Sequence, residues 1–411
     1  MEIVHEIVHR RRWTRADRAE GIWPRLTFDV PPGCGAVEVE LAVADPAAVI
    51  DLGCEGAAGW RGWSGGARRR YAITPDAATP GYLPGEPEAG TWHVVLGLHR
   101  VPESGVDCTV TVRTGGSPAV EQDRPAPPVP ARPPRRELPA GPGLRWVAAD
   151  FHAHTLHSDG VLTVPELAAL AVEAGLDALA VTDHNTVAHH AELAAVGRRY
   201  GIALLPGQEV TTEYGHANAF GDIGWVDFRE PAANWVSTVA ERGGLLSVNH
   251  PLAGDCSWRH PLPVRPPLAE VWHTSWLAPD WGGPVAWWRA WGVDTTPIGG
   301  SDWHRDDGTR LGEPVTWVAV AADADGPDLA GAVLDGLRAG RTAVSAHRDA
   351  PVLLPVGGEL VAIGAPGALV VGDGPRRAVH SDRDTMSPAG TGGQVLCGHD
   401  GRVFSLAGVP R

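Results

Sequence analysis

The feature that most constrains the fold is a regular alternation of strand-like and helix-like segments from Leu144 onward. WVAADFHAH, LDALAVTDH, IALLPGQEV and LLSVNH are apolar runs of strand length, and VPELAALAVEAG between the first two has the apolar spacing of an amphipathic helix. Further helices are expected over AHHAELAAVGRRYG and ANWVSTVAERG. Such a succession predicts an α/β fold with a mostly parallel sheet, either closed into a barrel or left open.

The segments on either side of this region have a different pattern. LTFDVPPG, AVEVELAVA, TWHVVLGL and VDCTVTVR alternate apolar and polar residues between Gly/Pro turns, which predicts a β-sandwich-like domain. The glycine-rich stretch at residues 59–85 is interpreted as a long loop. A proline-dense stretch predicts an extended linker. The predicted domains are residues 1–116 (β-sandwich-like), 117–144 (linker), 145–348 (α/β) and 349–411 (a small β-rich extension).

The composition of the chain favours a small substrate and a location of the protein in the cytoplasm. The net charge is −15, and all 34 basic residues are arginine. An acidic surface repels nucleic-acid backbones, so a nucleic-acid polymer is not the expected partner. The chain lacks a 20-residue apolar run, and MEIVHEIVHRRRW lacks the apolar core of a signal peptide, so we expect a cytoplasmic protein without membrane spans. Five scattered cysteines argue against a disulfide framework or a thiolate zinc site.

Polar residues with metal-ligand chemistry follow the predicted strands. The motifs FHAHTLHSDG, TDHN, GQEV, EYGHANAFG, VNHP and IGGSDWH together contain His152, His154, Asp159, His184, Glu209, His216, His250, Asp302 and His304. In β/α architectures the carboxyl ends of several strands converge on one site. A single histidine here is weak evidence, but burying so many titratable groups together is costly without cations. The set therefore predicts a metal centre.

In order, spacing and residue type these motifs resemble the PHP (polymerase and histidinol phosphatase) family over about residues 148–348. The resemblance implies a distorted seven-stranded β/α barrel with a trinuclear site, and the branch that it most resembles includes carbaryl-hydrolase-type enzymes. By this resemblance, the first metal is held by His152, His154, Glu209 and Asp302, the second by Glu209, His216 and His250, and the third by Asp159, His184 and His304.

The expected chemistry is hydrolysis. A water bridging two cations loses a proton near neutral pH and becomes a nucleophile, and the cations absorb charge in the transition state. A phosphomonoesterase or phosphodiesterase acting on a small phosphorylated molecule fits best. A carboxyl-ester, amide or carbamate hydrolase using the same metals is the alternative, and a non-catalytic, metal-stabilised binding module is a third. His, Asp and Glu ligands admit zinc, manganese or iron. A homo-oligomer is compatible with the sequence.

Four residues are candidates for catalytic work beside the ligands. Glu209 is expected to act in catalysis as the bridging ligand. Asp183 precedes a proposed ligand, and either orients an imidazole or caps a turn. His157 and Arg305 lie near the motifs and are candidates for proton donation and anion binding, as is His273.

Overall fold

The computed structural model describes residues 5–120, 124–254, 256–276, 278–292 and 294–409 of the 411-residue chain. The chain divides into two compact units. The N-terminal unit comprises the residues up to Pro125 together with two later segments, Thr155–Thr163 and Asp183–His189. The second unit comprises Ala126–His154, Val164–Thr182 and the residues from His190 onward.

The N-terminal unit consists of β-strands and one short helix. Its elements are β1 (His5–Trp13), α1 (Arg15–Glu20), β2 (Arg25–Val30), β3 (Val37–Val43), β4 (Val49–Gly56), β5 (Gly59–Gly65), β6 (Arg70–Ile73), β7 (Gly90–Arg100) and β8 (Val106–Thr114). They form two antiparallel four-stranded sheets, in the orders β1-β8-β3-β6 and β2-β7-β4-β5. Alternating apolar side chains of both sheets share one core, which includes Val39, Leu52, Trp92 and Val110.

The prediction of a long loop over residues 59–85 is wrong, because this stretch contains β5 and β6. Its glycines were interpreted as turn residues, but glycine also belongs where a large ring lies against the backbone. A Cβ on Gly53 of β4 would lie 2.4 Å from the Trp63 ring of β5. Gly53 therefore allows Trp63 to pack across the sheet, and β5 pairs with β4 instead of forming a loop.

The second unit is a mixed α/β structure with a large sheet and few helices. It begins with β9 (Leu144–Asp150), α2 (Val164–Glu173), β10 (Ala178–Val181), α3 (His190–Tyr200), β11 (Ala203–Thr212), β12 (Gly215–Phe220), α4 (Ala232–Glu241), β13 (Leu245–Val248), β14 (Leu268–His273), α5 (Gly283–Trp291) and β15 (Thr296–Gly300). It continues with β16 (Val315–Ala321), a 3-10 turn (Gly326–Asp328), α6 (Leu329–Arg338), β17 (Thr342–Ser345), β18 (Val352–Val356), β19 (Glu359–Ile363), β20 (Leu369–Val371), β21 (Arg377–Ala378), β22 (Arg383–Met386), β23 (Gln394–Cys397) and β24 (Val403–Ala407).

The large sheet is mixed rather than mostly parallel. Its strand order is β15-β14-β13-β12-β11-β10-β9-β16-β17-β24-β23-β20-β21. Pairing is parallel from β9 to β11 and from β13 to β15, whereas β12 is antiparallel to both of its neighbours. The pattern EYGHANAFG makes a hairpin between β11 and β12, which reverses the chain without a helical crossover. Seven successive strands, β9 to β15, therefore lie side by side.

The remaining strands continue the second unit toward its C-terminus. β24, β23, β20 and β21 extend the large sheet, while β18, β19 and β22 form a separate three-stranded sheet. Within the part of the chain that the structure describes, no helix combines the length and the apolar character that a membrane span requires.

Candidate metal centre

Six of the predicted ligands lie at strand ends of the second unit, and a seventh lies within strand β11. His152 and His154 follow β9, His250 follows β13, and Asp302 and His304 follow β15, while His216 lies at the start of β12 and Glu209 within β11. His250 and Asp302 have positive backbone φ angles of 25° and 51°. Left-handed backbone at a non-glycine residue is strained and is found preferentially at functional sites.

Glu209 lies at the centre of this group. Its Oε1 atom is 3.1 Å from His152 Nε2, 3.1 Å from His216 Nδ1 and 3.2 Å from His250 Nε2. Its other oxygen, Oε2, is 3.6 Å from His154 Nε2. The side chain of Glu209 is fully buried. One carboxylate thus faces four imidazoles, which is the arrangement expected of a ligand shared by two cations.

Asp302 forms the second carboxylate of the group. Its Oδ1 atom is 3.1 Å from His152 Nε2 and 3.0 Å from His154 Nε2. The Nδ1 atom of His304 lies 2.7 Å from the Asp302 carbonyl oxygen. One ligand atom each from His152, His154, Glu209 and Asp302 fits within a space 4.8 Å across.

The electrostatics of the group fit a bound cation. Burial opposes a positive charge on His152, but the carboxylates of Asp302, Glu209 and Glu270 outweigh it and raise the pKa of His152 well above its ordinary value. Burial likewise opposes charge on Asp302, yet His152 and His154 hold its pKa well below the ordinary range. The buried Nε2 atom of His152 has no hydrogen-bond partner among the described residues, although two carboxylates lie 3.1 Å away. A cation among these atoms would satisfy the imidazole nitrogen and both carboxylates.

Asp159 and His184, the other two predicted ligands, belong to the N-terminal unit. Asp159 Oδ1 is 3.7 Å from His184 Nε2, and the Asp159 side chain is 42% exposed. The two segments that carry these residues are joined by Asp183, whose buried carboxylate accepts hydrogen bonds from the Thr155 amide at 2.8 Å and the Ser158 hydroxyl at 2.6 Å. Asp183 also lies 3.2 Å from His189 Nδ1, so it contacts an imidazole that was not among the predicted ligands.

In the N-terminal unit, residues near the strands β5 to β7 form hydrogen bonds to the segments that carry Asp159 and His184. The backbone amide of Gly81 donates to His157 Nδ1 at 3.2 Å, and the carbonyl of Gly81 accepts from the Thr186 hydroxyl at 2.8 Å. Arg68 donates to the carbonyl oxygen of Ser158 at 3.0 Å. Residues between β5 and β7 therefore hold both segments through direct hydrogen bonds.

Replacing Gly81 by alanine is expected to destabilise the N-terminal unit by about 2 kcal/mol, through backbone strain and a steric clash. Its φ angle is +95°, and a Cβ there would lie 2.5 Å from the His157 carbonyl oxygen and 2.6 Å from that of Trp63. Thermal unfolding and hydrogen exchange of residues 155–163 measure the effect. Gly59→Ala is the matched control, because Gly59 has a φ of +128° and no atom within 4 Å of its added Cβ. Equal effects of the two substitutions would contradict the proposed support.

Sequence reasoning missed two side chains that contact the predicted ligands. Asn249 donates from Nδ2 to Glu209 Oε1 at 2.9 Å, and Glu270 lies 3.0 Å from His152 Nδ1. The signal for Glu270 was present, since a carboxylate interrupts the otherwise apolar start of the strand LAEVWH. Of the remaining candidates, His273 Nε2 is 3.3 Å from Asp302 Oδ2, whereas Arg305 is exposed.

Several characterised proteins are similar to part of the chain. The 5'-3' exoribonuclease Rnm of Escherichia coli is 44% identical over 68 residues, which are 16% of this chain and 23% of that protein. The 3',5'-nucleoside bisphosphate phosphatase of Chromobacterium violaceum is 39% identical over 84 residues, which are 20% of this chain and 29% of that protein. The chain thus spans about a quarter of the length of these curated relatives.

A solved structure and a family model also match. A two-domain protein of Bacteroides vulgatus, described as containing a PHP-like metal-dependent phosphoesterase, has a TM-score of 0.40 and 17% identity, over 67% of this chain and 91% of that one. Residues 150–250 match the model of the PHP domain. This segment contains seven of the nine predicted ligands and Asp183. Over residues 150–250 this chain is therefore similar to the PHP domain family.

Proposed function

We propose that this protein is a metal-dependent phosphoesterase that hydrolyses a phosphomonoester or phosphodiester of a small molecule. The observation that carries the proposal is the position of Glu209, whose buried carboxylate lies within 3.6 Å of four imidazole nitrogens. Structural carboxylates are rarely buried among so many histidines without a cation to bind them together.

The donor set fits two or three divalent cations. Glu209 is the proposed ligand of two of them, with His152, His154 and Asp302 on one and His216 and His250 on the other. Asp159, His184 and His304 remain the ligands proposed for a third. All are nitrogen and carboxylate donors, which suit zinc, manganese or iron.

Bound cations would supply a nucleophile from water near neutral pH and absorb charge on the phosphate oxygens. The residues of the chain hold and complete this centre. Asn249 fixes Glu209 by donating to its Oε1 atom. The Gly81 amide donates to His157 Nδ1, so a neutral His157 ring carries its proton on Nε2. We therefore propose His157 as a proton donor to the leaving group and Arg305 as an anion-binding residue.

The proposed substrate is small and phosphorylated. A net charge of −15 disfavours binding of a long polyanion, and one relative is a nucleoside bisphosphate phosphatase. Three relatives named as exoribonucleases make RNA the competing substrate. The cytoplasm is the proposed compartment.

The proposed architecture is a distorted seven-stranded β/α barrel preceded by a β-sandwich. Strands β9 to β15 supply the seven strands. The amide of Gly299 in β15 donates to the hydroxyl of Thr316 in β16, at 2.8 Å, and β16 pairs with β9. This contact with β16, the neighbour of β9, supports the proposed closure of the seven strands. In the N-terminal unit, the core shared by two sheets supports the sandwich.

A matched substrate panel tests the function. The protein, stripped of metal and reloaded with Mn²⁺ or Zn²⁺, is incubated with p-nitrophenyl phosphate, a nucleoside 3',5'-bisphosphate, a phosphodiester, a 5'-phosphorylated oligoribonucleotide and a carboxylic ester. We expect metal-dependent release of phosphate from the small phosphate esters. Cleavage of the carboxylic ester alone would replace the proposal with a carboxyl-ester or carbamate hydrolase, and cleavage of the oligoribonucleotide alone would overturn the small-molecule substrate.

A further inference from the structure

Glu270 is a buried acid in the middle of β14, with only 1% of its surface exposed. Each oxygen of its carboxylate contacts a different residue. Oε1 lies 3.0 Å from His152 Nδ1, and Oε2 accepts a hydrogen bond from the backbone amide of His250 at 2.8 Å. One side chain therefore contacts two of the proposed ligands, which lie on different proposed metals.

The contact with His152 determines which nitrogen of the neutral His152 ring carries the proton. A carboxylate can only accept, so the proton of the neutral His152 ring lies on Nδ1. The other nitrogen, Nε2, is then left with its lone pair toward Glu209 and Asp302, each 3.1 Å away. This is the orientation that a metal-binding imidazole needs, and carboxylates commonly impose it.

The contact with His250 acts on the backbone. His250 has a φ angle of 25°, a conformation that non-glycine residues adopt only when their surroundings hold them there. The bond from its amide to Glu270 is a charge-assisted hydrogen bond in a buried place, which is among the stronger ones available. It helps to hold the imidazole of His250 where its Nε2 lies 3.2 Å from Glu209.

The neighbouring strand β15 packs closely against Glu270 and His152. A Cβ on Gly300 of β15 would lie 2.1 Å from Glu270 Oε1 and 2.5 Å from the His152 Cβ. The neighbouring strand therefore needs glycine for the carboxylate and the imidazole to meet.

We propose that Glu270 is a positioning residue for two metal ligands at once, and that binding of the cations requires its carboxylate rather than an amide. The proposal rests on the proposed metal-dependent function. Both groups that face Glu270 are donors, whereas a glutamine offers one acceptor oxygen and an NH₂ group. In Glu270→Gln, either the His152 ring or the His250 amide must lose its acceptor.

The test compares metal binding of the full-length wild type and Glu270→Gln, measured by competition with a chelator for Zn²⁺ and by the visible spectrum after loading with Co²⁺. We expect the affinity of Glu270→Gln to fall about 10- to 100-fold, together with a changed Co²⁺ spectrum. The control is Ser345→Ala, which removes the buried hydroxyl that accepts from Trp317 Nε1 at 3.0 Å, on β17, a strand that carries none of the proposed ligands. This variant is expected to bind metal as the wild type does.

The outcomes separate the two proposals. Equal affinities and spectra of wild type and Glu270→Gln would overturn the role of Glu270 and leave the proposed function standing. Failure of the wild type to bind metal would overturn the proposed function itself. If Glu270→Gln does not fold, the protonation of the His152 ring is measured instead, from its nitrogen NMR signals in the zinc-loaded wild type. The His152→Gln variant identifies which signals belong to His152. A proton on Nδ1 supports the proposal, and a metal-bound or unprotonated Nδ1 overturns it.

Discussion

Replacing Glu209 by glutamine is expected to lower the rate of metal-dependent hydrolysis by about 10³-fold, since a charged group at a preorganised electrostatic centre contributes on this scale. The carboxylate of Glu209 faces His152, His216 and His250 within 3.2 Å and His154 within 3.6 Å. An amide of the same shape removes the negative charge from the middle of this group. It also places an NH₂ group, which can only donate, beside the imidazole nitrogens that the carboxylate faced.

The measurement is kcat and KM of both proteins on the best phosphate ester of the panel, with metal content determined in parallel. Glu241→Gln is the matched control, because Glu241 is an exposed residue of α4. A Glu209→Gln protein that keeps its metal content and its kcat would show that the cluster is not the catalytic centre.

Replacing Asp183 by alanine is expected to destabilise the N-terminal unit by about 3 kcal/mol, because buried donors lose their acceptor. The carboxylate accepts from the Thr155 amide at 2.8 Å, from the Thr155 hydroxyl at 2.7 Å and from the Ser158 hydroxyl at 2.6 Å. These bonds connect the segments that carry Asp159 and His184. We therefore expect a lower melting temperature and faster hydrogen exchange in residues 155–163 and 183–189.

Asp76→Ala provides the comparison, since Asp76 is an exposed acid of the same unit. Asp183→Asn retains one acceptor oxygen and should fall between the wild type and the alanine variant. A melting temperature and exchange pattern for Asp183→Ala equal to those of Asp76→Ala would mean that the hydrogen bonds of Asp183 do not hold the two segments together.

The sequence predicted the mixed α/β class and the identity of the polar residues at the strand ends, because both depend on local patterns. Helices α2, α3 and α4 begin within two residues of the predicted segments, since amphipathic spacing is visible in any window of three turns. Convergence of ligands such as His152, Glu209 and Asp302 follows from strand order once several strands lie in one sheet.

Other features depend on contacts between distant segments, and local patterns do not encode them. The direction of β12 is antiparallel, but a fully buried strand has the same apolar pattern in either direction. The strand β5 was mistaken for a loop, because the pairing with β4 that lets Trp63 pack on Gly53 is not visible in the local sequence. Glu270 was overlooked because its partners, His152 and His250, come together only in the folded sheet.

The most direct test of the central claim is a calorimetric titration of Mn²⁺ into chelator-stripped full-length protein, repeated with Glu209→Gln. We predict that the wild type binds at least two equivalents, because Glu209 and its neighbours present ligands for two cations. Glu209→Gln is predicted to bind fewer equivalents, or to bind them much more weakly. Absence of binding to the wild type, or identical isotherms for the two proteins, would contradict the claim that this cluster is a metal centre.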